Sequence, residues 1–574
     1  MYVDKSLLIN RLLERDEKVF QIIRPRRWGK TVNLEMLKTF FEIESDENAK
    51  PLPEEKRKNT IFFNGGELKI SNDVKVLEPL KISKIETAME KMGKHPVIYL
   101  NLSQVKGKSV SEIGKKLNKV IVNLYRSYPF LAKYLDNETT ILDEDEIPRL
   151  DNFLSGSLDK EYMFDSLEFL SMLLFEHFES YVCLLVDDYD LPLINAFSSL
   201  GQGSEFNFVL EMFKRLYDYT FKENQYLLKA VITGSLNFDV VPSGVGEFDY
   251  QYVLYDTVFD EPFTDYFGFT ETEVGKLVQN VHQMDRLKEW YGGFFVNKTE
   301  MYNPGSIVGF LTKQEFDYYL LQSNSDLVKF AYKGFLSPQY KDFLLLSGES
   351  KEVVIEKYAK TIVSENVGKD FYSIFINLGY LNLITPKRYA KEEIWRIQIP
   401  NVETKGIFAA GFKHWIATEL NVTETESQTL IDFLKDHDVE KFANKLEIYL
   451  EHSKVYDLKT EEGRYHNLMS ALIASLGIGN EVSTIREVGS YRGESVVIPI
   501  EGFGNTMIHF EYNICKVLQK VGEIVEESLR SLMLRPDSCK QKHLRDHVEK
   551  VLYVAVGFLG HKVSVKGKFV DVKK

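Results

Sequence analysis

Four short apolar runs, separated by stretches of helical period, constrain this chain more than any other feature. They are KVFQII at 18–23, HPVIYLNLS at 95–103, YVCLLVDD at 181–188 and LLKAVITGS at 227–235. Each is rich in β-branched and aromatic residues and apolar on both faces, so each must be covered on both sides. Between them lie NLEMLKTFFEIE, VSEIGKKLNKVIVNLYRSY and DSLEFLSMLLFEHF, whose apolar residues return at helical spacing. Buried strands alternating with helices predict an α/β domain, a parallel sheet wrapped by helices.

At 574 residues the chain exceeds what one core usually organises, and three domains are expected. The α/β domain takes 1–270. From 271 to 425 strand-like runs thin out, TETEVGKLVQNVHQMDRLKEWYGGF and FYSIFINLGYLNLI read as amphipathic helices, and the segment reads as a helical appendage. From 426 to 574 two helical stretches precede three strand candidates, EVSTIREVG, ESVVIPIEG and TMIHFEYNI, then a helix at GEIVEESLRSLML and a strand at KVLYVAVGFLG, a second α/β unit.

Composition limits partners and compartment. A formal net charge of -14 repels polyanions on average, so any nucleic-acid contact must be local. The locally basic stretches are Arg24, Arg26, Arg27 and Lys30, and a tail with Lys562, Lys566, Lys568, Lys573 and Lys574 that reads as a solvated end. The acidic run LDEDEIPRLD at 142–151 reads as a solvated loop. Cys183, Cys515 and Cys539 form no paired framework and no zinc-ligand spacing, which suits a reducing compartment. No apolar run approaches the roughly 18 residues of a membrane span. The expectation is an intracellular protein, cytoplasmic or nuclear, without membrane contact; self-association stays open.

Chemistry concentrates at strand ends. A phosphate-binding loop needs a strand, a turn whose amides curl around phosphates, a lysine for the outer phosphates and a hydroxyl for Mg2+ at a helix start. IIRPRRWGKTVNL, from Ile22 to Leu34, meets that order through Gly29, Lys30 and Thr31, yet Arg24 stands where GxxxxGK[ST] has its first glycine. The third run ends in Asp187 and Asp188, suited to a metal water shell and to orienting an attacking water. The run ending ITGS offers Thr233 or Ser235 to the outer phosphate. WYGGF at 290–294 reads as a helix stop with an aromatic anchor, and Asn303-Pro304 as a turn starting a helix.

The segments YVDKSLLINRLL, RPRRWGKTVNLEMLKTFFE, HPVIYLNLS, LLVDDYDLPL, ITGS, FGFTETEV, WYGGF and YNPGSIVGFL resemble, in this order, the AAA-ATPase-like family, whose members typically carry a C-terminal PD-(D/E)XK nuclease-like domain. The resemblance implies a P-loop NTPase sheet followed by a restriction-endonuclease-like domain, with ATP and Mg2+ as cofactors. It makes the arginine-rich loop a family trait, so that Arg26, Arg27, Trp28, Gly29, Lys30, Thr31 and Thr233 belong to the nucleotide site and Thr31 and Asp187 to the metal. The family usually has Asp-Glu where this chain has Asp187-Asp188, and the shorter carboxylate points to slow hydrolysis or binding without turnover.

Placed against the nuclease pattern, Glu494 falls on the Asp position, Glu511 on the acidic position and Asn513 on the lysine position. Glu494 and Glu511 are then the candidate metal ligands and catalytic acids, but Asn513 supplies no cation. Lys516 lies nearby, though strand alternation turns it to the other face. His466 matches a histidine common in the family; a core or capping role competes with a site role. Three readings stay open: an ATP-binding protein, a weak or regulated ATPase with a noncatalytic nuclease-like domain; an ATP-gated metal-dependent DNA nuclease binding nucleic acid through the C-terminal domain; and a scaffold with relic sites.

Overall fold

The structure, a computed structural model, describes residues 2–70, 73–135, 142–156, 162–201, 203–222, 224–241, 253–278, 283–320, 351–354, 367–389, 392–453, 462–487, 492–516, 520–534 and 545–572. They gather into two compact units. The first draws on Met1–Leu287, Gly292–Gln314 and Glu356–Gly379, the second on Lys288–Tyr291, Glu315–Ile355 and Tyr380–Lys574.

In the first unit the four apolar runs are strands: β1 (Val19–Ile23), then, after a hairpin of β2 (Gly66–Ile70) and β3 (Asp73–Leu77), β4 (Val97–Asn101), β5 (Val182–Asp187) and β6 (Leu227–Gly234). A further strand, β7 (Val253–Asp256), completes a sheet of order β4-β5-β6-β1-β7. Every pairing in it is parallel. β1 and β5 are buried at every position, as strands covered by helices on both faces must be. One face packs on the helix Lys30–Phe41 through Leu34, Leu37 and Phe40, together with Leu8 and Leu12 of the N-terminal helix and Phe20 and Ile22 of β1.

Two consequences of this order matter for function. All five strands run the same way, so their C-terminal ends, which carry Arg24, Asp187 and Thr233, lie along one edge. β6 lies between β1 and β5, so Thr233 separates the loop after β1 from the carboxylate at the end of β5.

The segment 271–425 departs from its helical expectation. β8 (Phe269–Thr270), β9 (Phe294–Val296) and β10 (Thr299–Tyr302) form a small antiparallel sheet in the first unit. In the second unit β11 (Lys351–Val354), β12 (Asn382–Tyr389) and β13 (Glu392–Gln398) form another. β8 to β11, of two to four residues, are too short to reveal a period, whereas β12 and β13, of eight and seven, are missed by the sequence reading. The turn at Asn297, with φ 53, closes β9 on β10. FYSIFINLGYLNLI holds one helix, Val367–Asn377, and the start of β12, broken at Gly379 in the left-handed region.

The second unit continues with helices Val402–Glu419, Glu424–Lys435, Val439–Ser453 and Glu462–Ala474. Then come β14 (Asn480–Glu487), β15 (Arg492–Pro499) and β16 (Thr506–Ile514), the helix Val521–Leu534, β17 (Lys550–Leu559) and β18 (Lys562–Asp571). The sheet is mixed: β14 to β16 form an antiparallel meander, β17 is parallel to β16, and β18 closes antiparallel on β17. This follows the expected alternation up to β17. The basic tail, expected as a solvated end, is the edge strand β18: Val563, Val565 and Phe569 alternate with Lys562, Ser564, Lys566 and Lys568. The acidic run likewise enters a helix, Glu146–Ser155, whose Leu150 and Phe153 are buried. Cys539, Lys573, Lys574 and the side chain of His466 fall outside the described residues. Among the described residues no helix is long and apolar enough to cross a membrane.

Candidate functional site

β1 hands the chain into the loop at Arg24, whose amide donates to Gly234 O at 3.0 Å and extends the ladder with β6 by one residue. Arg24 then turns inward. Its side chain is fully buried, one guanidinium nitrogen pairs with Asp256 Oδ2 and another donates to Ile23 O at 2.8 Å. Asp256 is the last residue of β7. The position where the common motif has glycine therefore holds a strut that ties the loop to the neighbouring strand. A buried pair of this kind tolerates no loss of one partner.

The loop closes through two residues in the left-handed region, Arg27 (φ 62) and Gly29 (φ 80). Gly29 precedes the 12-residue helix Lys30–Phe41, which has no side-chain cap, and a Cβ built on Gly29 would meet nothing within 4 Å. The first-turn amides of a helix have no intrahelical acceptor and carry the positive end of the dipole. Beside them Lys30 is buried: its ammonium donates to Arg24 O (2.9 Å), Pro25 O (2.8 Å) and Ser235 Oγ (3.1 Å). Burial lowers its pKa below the usual lysine range, against the pull of Asp188, Asp190 and Asp187 and with the push of Arg26.

Asp187 is the hub. Its carboxylate is fully buried and accepts from Thr31 Oγ1 (2.7 Å), Thr233 Oγ1 (2.9 Å), Tyr99 OH (3.3 Å) and Asn101 Nδ2 (3.3 Å). Three elements, the loop helix, β6 and β4, thus converge on one side chain of β5. Asp188 follows in the left-handed region at φ 53. Burial pushes its carboxyl up to about 6, the Lys30 charge pulls it back, and Asp187 and Asp190 add to the rise. Asp190 is structural in its contacts, accepting from the amides of Ser235 and Leu236, each at 2.8 Å, and so fixing the turn after β6.

The structure brings Lys30, Thr31, Asp187, Asp188 and Thr233 to one edge of the sheet. Arg26 lies within electrostatic reach of Lys30 and Asp188. Arg27 is exposed, with its side chain running over Gly305. Trp28 is buried against Phe294, their rings 5.7 Å apart, and against Gly268, which leaves its backbone rather than its indole facing the loop. Sequence reasoning missed Tyr99, Asn101, Asp190 and Asp256. Tyr99 and Asn101 share a strand face by parity, and Asn101 is in register with Asp187. That signal becomes readable once β4 and β5 are taken as neighbours.

An uncapped helix start, a glycine with open space above it, a buried ammonium and a hydroxyl bonded to a carboxylate suit a polyphosphate with a hard divalent cation. Lys30 and the first-turn amides fit the phosphates; Thr31 and Asp187 fit the metal. Among the described residues no group of three or more His, Cys, Asp or Glu side chains is arranged to hold a metal by itself.

In the second unit Glu494 and Glu511 face each other across β15 and β16, both buried. Glu494 Oε1 lies 2.6 Å from Nε2 of the buried His509. Asn513, on the same strand face as Glu511, donates to Ser528 Oγ of the helix Val521–Leu534 at 2.9 Å. Lys516 is exposed beyond the end of β16.

The family described as "Predicted AAA-ATPase" matches residues 1–55 and 67–241. That stretch contains the loop, Asp187, Asp188 and Thr233, and ends ahead of the second unit, so the first unit is similar to predicted AAA-ATPases. The chain is also similar to the "Uncharacterized protein in vnfD 5'region" of Azotobacter chroococcum mcd 1, 22% identical over 233 residues, which are 39% of this chain and 41% of that relative. It thus spans about two fifths of the length of that curated relative. No solved structure matches.

Proposed function

We propose that the first unit binds ATP with Mg2+ at the Gly29–Thr31 turn and is a slow or regulated ATPase. The observation that carries this reading is the convergence of Thr31 and Thr233 on Asp187 beside the buried Lys30. Lys30 and the helix amides hold the outer phosphates, Arg26 adds positive charge, and Thr31 with Asp187 holds the metal. Bound Mg2+ supplies charge neutralisation at the phosphates. Asp188 orients the attacking water. Its carboxylate is one methylene shorter than a glutamate and is drawn toward the Lys30 charge, which favours slow turnover. The family likeness carries nucleotide use with it, and usually Mg2+.

The test is a calorimetric titration of the full chain with ATP, with and without Mg2+, on wild type and Lys30→Ala. Wild type binds, with an affinity strengthened by Mg2+; Lys30→Ala does not. No detectable binding by wild type ends the proposal in favour of a scaffold with a relic loop, and equal binding by the two proteins removes Lys30 from the site.

For the second unit we propose a nuclease-like domain that does not cleave. Glu494 is engaged by His509, Asn513 by Ser528, and neither position adjoins a lysine on the same strand face.

A further inference from the structure

The inner geometry of the loop is held from outside it. Three successive loop carbonyls accept hydrogen bonds from two later segments of the first unit, which the pairing of β8 with β10 brings side by side. Arg26 O accepts from Asn303 Nδ2 at 3.0 Å, Arg27 O from Gly305 N at 3.2 Å, and Trp28 O from Gly268 N at 3.1 Å. None of the three donors lies in the part of the chain that the family match covers.

Planarity gives these bonds a directional consequence. In a trans peptide the carbonyl and the amide point to opposite sides, and the peptides of this loop are trans, no cis peptide occurring among the described residues. Carbonyls tied at Arg26, Arg27 and Trp28 therefore turn the amides of Arg27, Trp28 and Gly29 away from the clasp. Successive amides arranged in this way form an anion nest. The left-handed residues Arg27 and Gly29 are what lets the chain adopt that curl.

Asn303 is the joint of the clasp. Its Oδ1 accepts from Gly305 N at 2.8 Å and caps the helix Pro304–Lys313, while its Nδ2 reaches Arg26 O. One side chain thus fixes both the helix start and the loop. The two glycines are required by proximity. A Cβ at Gly305 would sit 2.6 Å from Arg27 Cβ, and one at Gly268, where φ is +87, would sit 2.9 Å from Trp28 Cε3.

We infer that Asn303 is a positioning residue for phosphate recognition, acting through the loop carbonyls and not by touching the ligand. This rests on the proposed nucleotide reading, and two readouts separate them. Asn303→Asp keeps an equally good cap but replaces the donor to Arg26 O with an acceptor. Gly305→Ala pushes on Arg27 through a different atom. In full-length protein without nucleotide, hydrogen exchange over residues 24–31 speeds up about tenfold or more in both variants, beyond any change in the strands β4 and β5. Titration with ATP and Mg2+ then shows an affinity lower by about tenfold or more, the measure of one lost hydrogen bond.

Unchanged loop exchange and unchanged affinity in Asn303→Asp overturn the inference. Faster exchange with unaltered affinity overturns the phosphate role. If wild type takes no ATP while the variant still exchanges faster, the nucleotide reading falls and the clasp is upheld.

Discussion

At the scale of single residues, Asp187 shows how a functional carboxylate can also be a structural one. It accepts four hydrogen bonds in a fully buried position, so removing it strands donors from β4, β6 and the loop helix. An unsatisfied buried donor costs about 1–3 kcal/mol. Asp187→Ala is therefore expected to lose about 2–4 kcal/mol in urea unfolding, less than the sum because hydroxyls can turn elsewhere. Asp187→Asn keeps the shape and one acceptor, and the hydroxyls of Thr31, Thr233 and Tyr99 can reverse direction. It is expected to stay within about 1 kcal/mol of wild type while losing the Mg2+ dependence of ATP binding. If the two variants unfold alike, the hub is not holding the strand ends together.

At the scale of elements, the loop is anchored sideways as well as from behind. β1 sits between β6 and β7, and Arg24 continues it into the ion pair with Asp256. Burial pushes the Asp256 carboxyl up from its usual range, and the guanidinium beside it pulls it back. Removing one partner leaves an uncompensated buried charge at a cost of about 3–5 kcal/mol, whereas an apolar pair of similar volume is often neutral. Arg24→Met and Asp256→Leu are each expected to destabilise by about 3 kcal/mol or more, and the double variant to recover most of the loss, in a thermal or urea double-mutant cycle. Simple additivity would mean that the strut does not exist. The same pair explains why an arginine replaces the motif glycine: the turn is held by a side chain crossing to β7 and not by backbone freedom at that position.

At the scale of the whole molecule, the two units carry different chemistry. The first collects a cation, hydroxyls and carboxylates at strand ends. The second buries its two glutamates opposite each other in mid-sheet, with His509 engaging Glu494 and the helix Val521–Leu534 engaging Asn513. A metal-dependent cleavage site needs water and a cation beside its acids. Full-length protein incubated with duplex or single-stranded DNA and Mg2+ or Mn2+, with or without ATP, is accordingly expected to leave the DNA intact. Cleavage that disappears in Glu511→Ala would reverse that reading of the second unit.

The strand ends were legible in the sequence because a strand buried on both faces must be apolar throughout, so its polar boundary marks where chemistry starts. That is how Lys30, Thr31, Asp187 and Thr233 could be named from the sequence; the strands β14, β15 and β16 were legible too, but not their antiparallel pairing. What the sequence left hidden depends on partners remote along the chain. Arg24 meets Asp256 across 232 positions, and Asn303 meets Arg26 across 277. β7 is too short to show a period, and the tail's alternation is masked by its lysines. Local pattern reports which face of an element is buried; only folding decides which element lies against it, and here that choice holds the loop in shape.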